Sequence, residues 1–441
     1  MVWCILLKNV AVIYPNKYKA GITCLAVHIL ANHLSKYYNT KVFFLENYQQ
    51  IKNFDTIFIT LQYELDYFNA INIVKFLKMQ NPNAKFIAGG PCVMENPYPL
   101  MDFFDAFIVG EIEGSNVMYE VVEGNYDVEG VLTKYKDKVK RIYPKKLGIE
   151  DYPIYQPIPE NSAYGKTFLL ELGRGCPRRC KFCLARAIYY PPRIRKLDDL
   201  IYLAEEGIKT NKVNKVSLIH PSVGDYKYIL DLVEYLVNKG VQVSLSSIRV
   251  DTLTEEFLKL TKPKTLTIAP EAGSEKLREI IKKDISEEDI FRGVELAKKY
   301  NISKIKLYYM VGLPNEEWED IEAIINQVKE IKRHIKMVEV SVNPFIPKPH
   351  TDFELESFDL ESKKKIKYIE KELKKYGVRV EYENFNSMLC QAILARGDTS
   401  LSYYLDRANN YSKFLSLIKK DNLLEKYLNP KELVWKNIIL K

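Results

Sequence analysis

The sequence predicts an α/β chain in three parts: a small doubly wound, Rossmann-like domain, a partial (β/α)6 barrel, and a mainly helical C-terminal region. Three observations predict it. Short continuous apolar runs alternate with stretches of helical periodicity, the mark of strands buried on both faces of a parallel sheet. Two such series occur, separated by Pro153, Pro157 and Pro159. Beyond Pro349 the residues turn charged and helical. The expected boundaries are 1–150 for the first domain, 151–165 for a linker, 166–350 for the barrel and 351–441 for the helical region.

In the first series the strands are Ala11–Tyr14, Val42–Leu45, Thr56–Thr60, Lys85–Ala88 and Ala106–Val109, with helices over Ile22–Tyr37 and Ala70–Met79. A hairpin is expected over Val128–Tyr143. The barrel strands are Phe168–Leu172, Val216–Ile219, Val241–Leu245, Thr265–Ile268, Lys304–Tyr309 and Met337–Val342, each followed by a helical stretch. Chemistry in such a barrel gathers at the C-terminal ends of the strands. The tail reads as helix Glu361–Tyr376, strand Val378–Tyr382 and two further helical stretches.

Composition narrows the class. Of 441 residues, 47% are hydrophobic and 28% charged, which supplies a core and argues against disorder. No apolar run is long enough to span a membrane, and the start lacks the features of an export signal, so a cytoplasmic enzyme is expected. The net charge of +8 is interleaved with acid along the chain, so nucleic acid is not an expected partner. Seven cysteines are present, three of them within eight residues, a spacing that favours metal chemistry over disulfides.

Those three lie in Glu171-Leu-Gly-Arg-Gly-Cys176-Pro-Arg-Arg-Cys180-Lys-Phe-Cys183, directly after the first barrel strand. Soft thiolates suit iron–sulfur clusters or zinc. Zinc would need a fourth ligand, and no Cys or His follows at close spacing. Cys176, Cys180 and Cys183 can instead each hold one iron of a 4Fe–4S cubane, leaving the fourth iron open for another molecule. The surrounding Arg178, Arg179 and Lys181 favour thiolates and an anionic cluster.

The C-x3-C-x2-C triplet, with Phe182 as the aromatic before the third cysteine, resembles the radical S-adenosylmethionine superfamily. The resemblance implies that the amino and carboxylate groups of S-adenosylmethionine chelate the open iron. One-electron reduction by a donor such as ferredoxin or flavodoxin then yields a 5'-deoxyadenosyl radical that abstracts hydrogen from substrate. The protein's part is orientation and exclusion of water.

Other strand ends offer cofactor contacts. Glu271 could accept from an amine or ribose, and Ser274 could act there or simply cap a helix. Ser222 is the best candidate for the methionine amine, in the place where the family often carries a Gly-Gly-Glu-like segment that this chain lacks. Ser246 and Arg249 end the third strand; Arg249 could neutralise the methionine carboxylate or pair with Asp251. Gly312 could let backbone approach adenine or could serve a tight turn. Strand alternation puts Lys306, Tyr308 and Met310 on one face, making Lys306 and Tyr308 candidates to line the reaction chamber.

The phrases Glu271-Ala-Gly-Ser, Gly312-Leu-Pro, Asn343-Pro-Phe and Ala395-Arg-Gly-Asp398 look most like members with an N-terminal cobalamin (B12)-binding-like domain. Strand-end loops there, containing Gly21, Gly89, Gly90, Gly110 and Glu111, would let backbone pass close to a corrin or nucleotide tail. The common Asp-x-His-x-x-Gly element is absent. The resemblance implies a cobalamin-dependent C-methyltransferase acting on an unactivated carbon, with Cys24, Cys92 and Cys390 as further chamber-lining candidates or else buried small hydrophobes. An archaeal protein or peptide side chain, for example in methyl-coenzyme M reductase, is the expected substrate type. The alternative is a cobalamin-free radical enzyme, methylthiotransferase-like or another hydrogen-abstracting oxidoreductase. Methylthiotransferases usually carry a second cysteine triplet, whereas Cys4, Cys24 and Cys92 lie in three separate elements.

Overall fold

A computed structural model describes residues 8–245 and 248–440. Two compact units emerge that do not follow chain order. The first takes the residues up to Leu169, Tyr202–Val213 and those from Cys390 onward; the second takes Leu170–Ile201 and Asn214–Leu389. Residues 351–441, read from sequence as one region, are thus divided between the two.

The first unit is built on a six-stranded sheet of β1 (Asn9–Ile13), β2 (Asn39–Phe43), β3 (Thr56–Thr60), β4 (Lys85–Gly89), β5 (Ala106–Ile108) and β6 (Val131–Leu132). The order is β2-β1-β3-β4-β5-β6, parallel through β5. That is the doubly wound arrangement, with its switch point between β1 and β3. Every residue of the β-branched and aromatic run Thr-Ile-Phe-Ile-Thr in β3 is buried, as a central parallel strand requires. Helices Leu25–Leu34 and Asp66–Gln80 return the chain.

The expected 128–143 hairpin does not form. β6 pairs antiparallel with β5, while β7 (Val139–Lys140) pairs in parallel with Ile438–Ile439. Local alternation marks both segments as extended but says nothing of which distant edge each finds. The fully buried Trp435 anchors the tail just before its strand. Four helices, not two, follow Tyr382: Phe385–Ala395, Leu401–Asp406, Tyr411–Lys420 and Leu424–Leu428. Asn96 Nδ2 donates to Ala395 O (3.0 Å) and Gly397 O (2.8 Å), which explains the Ala395-Arg-Gly-Asp398 phrase as a helix-ending turn.

The division falls within β8 (Phe168–Glu171), and the second unit goes on with a short ribbon of β9 (Gly173–Arg174) and β10 (Arg193–Ile194), then β11 (Lys215–Ile219), β12 (Gln242–Leu245), β13 (Thr265–Glu271), β14 (Lys304–Val311), β15 (Met337–Pro344) and β16 (Arg379–Glu381). The six expected barrel strands are present. They form two sheets, β12-β11-β8 and β13-β14-β15-β16, so among the described residues the barrel is open between β12 and β13. Along β14, Ile305, Leu307, Tyr309 and Val311 are buried, while Lys306, Tyr308 and Met310 stay accessible. Tyr309 Oη donates to Gln327 Oε1 (2.5 Å) on helix Trp318–His334, which identifies the buried face as the helix side and leaves the Lys306 face to the interior.

Gly110 sits at φ +137°, and a Cβ there would lie 2.1 Å from Ile142 O. Gly110→Ala is therefore expected to cost at least about 2 kcal/mol of stability through overpacking and backbone strain. Gly114, at φ +69° with no neighbour within 4 Å, should cost only about 1 kcal/mol as Gly114→Ala. Denaturant midpoints of the two variants check the contrast.

Candidate metal centre

The cysteine loop is pinned at its base. Leu172 N donates to Ile219 O (3.0 Å), and β9 runs antiparallel against β10. The Gly-Arg-Gly spacing serves close approach: a Cβ on Gly173 would meet Arg193 O at 2.4 Å, and one on Gly175 would meet Tyr189 O at 2.5 Å. Glu171 accepts from Arg174 Nε (2.7 Å) and from Arg195 Nη2 (2.9 Å), both largely buried. Burial pushes the Glu171 carboxyl up, but the Arg174 and Arg195 guanidiniums more than offset that and hold it below the usual range. Sequence reading passed over this clamp because Glu171 reads there only as the polar end of a strand.

Within the loop, Cys180 is buried while Cys176 and Cys183 are half-buried, and all three are free thiols. Lys181 N donates to Ile281 O (3.0 Å), and Asp352 N donates to Lys181 O (3.1 Å), so neighbouring segments grip the middle of the loop. Phe182 packs against Ala272, Leu277, Ile281, Leu313, Phe345 and Phe353, an apolar wall drawn from three strand ends. Burial raises the Cys180 and Cys183 thiols; Cys180 also feels the Cys176 sulfur, and Cys183 feels those of Cys180 and Cys176. The three are thus close neighbours. Three thiolates on one zinc, at Zn–S about 2.3 Å, would stand within about 4 Å of one another. Among the described residues the loop cysteines form no ligand group closed to within 4.8 Å, and no carboxylate or imidazole joins them in one. A donor set of three thiols, mutually near but not converging on a single ion, fits a cluster whose irons each take one sulfur.

A chain of charges surrounds the loop. Arg178 donates to both Asp225 oxygens (2.8 and 2.5 Å) and pairs with Asp251 (3.1 Å). Arg249 binds both oxygens of Asp251 (3.0 and 3.2 Å) and donates to Lys283 O (2.8 Å). Lys283 Nζ in turn donates to Glu271 (3.0 Å). The ends of β11, β12 and β13 are thereby tied to the cluster loop. Lys283 and Arg249 both act to lower the Cys180 thiol against the larger effect of burial.

The remaining expected contacts divide. Arg249 takes the pairing with Asp251. Ser274 Oγ accepts from Leu277 N (3.1 Å), so it caps the helix Glu275–Ile280. Gly312, at φ +79°, faces Asp359 and Ser362, which a Cβ would meet at 2.7 and 2.5 Å. Its turn is filled by the protein itself rather than left open for adenine. Glu271, at φ +70°, stays half-buried with Lys283. Ser222 is buried beside Asp225, whose carboxyl burial raises and Arg178 and Ser222 lower, with a net depression. Ser246 lies outside the described residues. Lys306 pairs with Glu381 (3.4 Å), and its ammonium sits 5.2 Å from the centre of the Tyr308 ring. Cys390 is fully buried, and its burial raises the thiol well above the ordinary range, as for a small core hydrophobe. Lys348 lies in the proline loop after β15, and burial pushes its ammonium down to about 7.

In the first unit, a Cβ on Gly21 would strike Phe44 and Tyr14 at 2.7 Å, so that glycine serves packing. Gly110 bridges to Ile142, and Glu111 pairs with the buried Arg141 (3.6 Å), so these two close the sheet edge. Gly90 presses on Leu61 O, where a Cβ would stand at 2.7 Å. A Cβ on Gly89 would stand in ordinary contact with Ile108 O, 3.7 Å away. Of the glycines expected to admit a corrin or its tail, Gly89 is the least crowded.

Comparison with known proteins places these features. The sequence profile of the radical SAM superfamily matches residues 170–328, and that of the N-terminal region of radical SAM proteins matches residues 24–142. The chain is 69% identical, over 99% of each sequence, to the uncharacterised protein MJ0966 of Methanocaldococcus jannaschii. It is 24% identical to the tRNA-2-methylthio-N(6)-dimethylallyladenosine synthase of Thermodesulfovibrio yellowstonii, over 63% of this chain and 64% of that one. Among solved structures, the radical S-adenosylmethionine methyltransferase TsrM of Kitasatospora setae, with tryptophan and a SAM analogue bound, aligns with TM-score 0.63 at 14% identity, covering 79% of this chain and 75% of TsrM. The cobalamin-dependent radical enzyme OxsB aligns with TM-score 0.56 at 13% identity, covering 94% and 61%. At such identities the shared property is the fold.

Glu171→Gln would remove the buried negative charge that faces the Arg174 and Arg195 guanidiniums, and is expected to cost about 3–5 kcal/mol. In the parent the Glu171 contribution is intact at neutral pH. It is lost as pH falls through the ordinary glutamate range near 4.3 toward the depressed folded value. Denaturant midpoints of parent and variant between neutral and acid pH test this: their gap should shrink on acidification.

Proposed function

The chain belongs to the radical S-adenosylmethionine superfamily, and from that premise we propose that it is a cobalamin-dependent C-methyltransferase acting on an unactivated carbon. The observation that carries this reading is the pairing, on one chain, of a cysteine-loop open barrel with a doubly wound sheet of order 2-1-3-4-5, an architecture shared with TsrM and OxsB. Cluster and S-adenosylmethionine belong to the superfamily's chemistry; cobalamin is the proposed addition.

Cys176, Cys180 and Cys183 would hold the cluster, and the first unit's strand ends at Gly89 would take the corrin. When bound, these groups supply a hydrogen-abstracting 5'-deoxyadenosyl radical and a transferable methyl group. The chain's own residues do the rest. Glu171, clamped by Arg174 and Arg195, fixes the direction in which the cysteine loop leaves β8. The Arg178–Asp225 and Arg249–Asp251 pairs hold the loop's polar side, and Phe182 with its apolar wall excludes water on the other. Lys306 and Tyr308, partly accessible on the interior face of β14, offer an ammonium and a phenol to orient a polar substrate. A protein or peptide side chain is the substrate type we favour, with a ferredoxin- or flavodoxin-like protein as electron donor.

Sequence likeness to methylthiotransferases favours a second reading without cobalamin. Anaerobic purification with hydroxocobalamin, followed by iron and cobalt analysis on one sample, separates the two. The proposal expects about four irons and one cobalt per chain, together with cleavage of S-adenosylmethionine that Cys176→Ala abolishes. Full iron and active cleavage with no cobalt retained would overturn the methyltransfer reading and favour the second.

A further inference from the structure

A second set of metal-type donors lies in the first unit, far along the chain from the cysteine loop. Glu64 follows β3, and Cys92 and Glu95 lie on the short helix Pro91–Glu95 that follows β4. One turn of helix separates Cys92 from Glu95, so their side chains share a face. One ligand atom from each of the three falls within 4.8 Å of the others, and the residues are only 1%, 2% and 1% exposed. Surface carboxylates cluster by chance, but a thiol and two carboxyls brought together out of water do not come at low cost.

A fourth group points to a ligand independently. Asp66, two residues after Glu64 and 3% exposed, accepts from Asn16 Nδ2 at Oδ1 (2.9 Å), whereas its Oδ2 is buried with no hydrogen-bond partner. A buried orphan oxygen two residues along the chain from one of three converging donors is what a cation would satisfy.

We propose that Glu64, Cys92 and Glu95, with Asp66 completing the set, form a binding site for a divalent cation of borderline softness, zinc or ferrous iron. One thiolate with oxygen donors suits such ions over magnesium or calcium, which take oxygen alone. Binding forms one metal–sulfur bond and metal–oxygen bonds, and the thiol proton and any carboxyl protons leave to solvent. The site ties the β3 and β4 loops together and holds whether or not cobalamin binds.

The test uses the full chain with its cysteine-loop cluster reconstituted, so that Cys176, Cys180 and Cys183 are occupied by iron. After equilibration with zinc chloride and dialysis, zinc and iron are counted, and zinc X-ray absorption reads the donor atoms. The proposal expects one zinc per chain with one sulfur and the rest oxygen. Cys92→Ser should lose the zinc while keeping its iron, Cys24→Ser should keep both, and Asp66→Asn should weaken zinc binding about 10–100-fold. Zinc should also raise the thermal midpoint of the parent but not of Glu95→Gln, a readout that survives a poorly folding Cys92 variant. No zinc beyond background in the parent, equal retention by parent and Cys92→Ser, or a zinc with no sulfur donor would each overturn it.

Discussion

The molecule depends on delivering three thiols to one polar loop without letting a fourth side chain complete the set. The loop must be held from outside, by groups that fix its path but are not themselves metal ligands. The Glu171 clamp does this at the base, where two guanidiniums meet one buried carboxylate. The Arg178–Asp225–Asp251–Arg249 chain does it at the side, and the apolar wall against Phe182 at the back. Because these braces come from the ends of several strands, the open barrel is the device that makes the loop rigid. Positive charge from Lys283 and Arg249 close to Cys180 also suits an anionic cluster in a low-dielectric setting.

The first unit obeys a different constraint. The middle of its sheet is apolar, so polar function gathers at the strand ends, where the chain must turn. Some of those ends are closed by the protein itself: Gly21 by two aromatic rings, Gly110 and Glu111 by Ile142 and Arg141. The end of β4 is least crowded at Gly89, while the loops after β3 and β4 gather acid and thiol groups out of water.

Much of this was legible in the sequence. The central parallel strands announced themselves because burial on both faces leaves short, largely apolar runs such as residues 10–13 and 57–59, and the cysteine spacing stated its chemistry outright. What was hidden is pairing across distance. Arg178 reads as loose positive charge near the cysteines, and only the fold shows it meeting Asp225; for Arg249 the sequence leaves the methionine carboxylate and Asp251 both open, and the fold shows Asp251. Glycines are ambiguous for a related reason, since a missing Cβ admits a ligand or a neighbour equally well; Gly312 turned out to face Asp359 and Ser362. The edge partner of β7 lies about 300 residues away, beyond any local pattern.

The account stands on one vacant coordination position in a cubane held by Cys176, Cys180 and Cys183. Electron paramagnetic and double resonance spectra of the reduced, reconstituted protein, taken with and without S-adenosylmethionine labelled at its amine nitrogen, test it most directly. The account predicts a cubane signal that shifts on addition and gains coupling to the label. A signal indifferent to the sulfonium compound, with every iron already bonded by the chain, would contradict it.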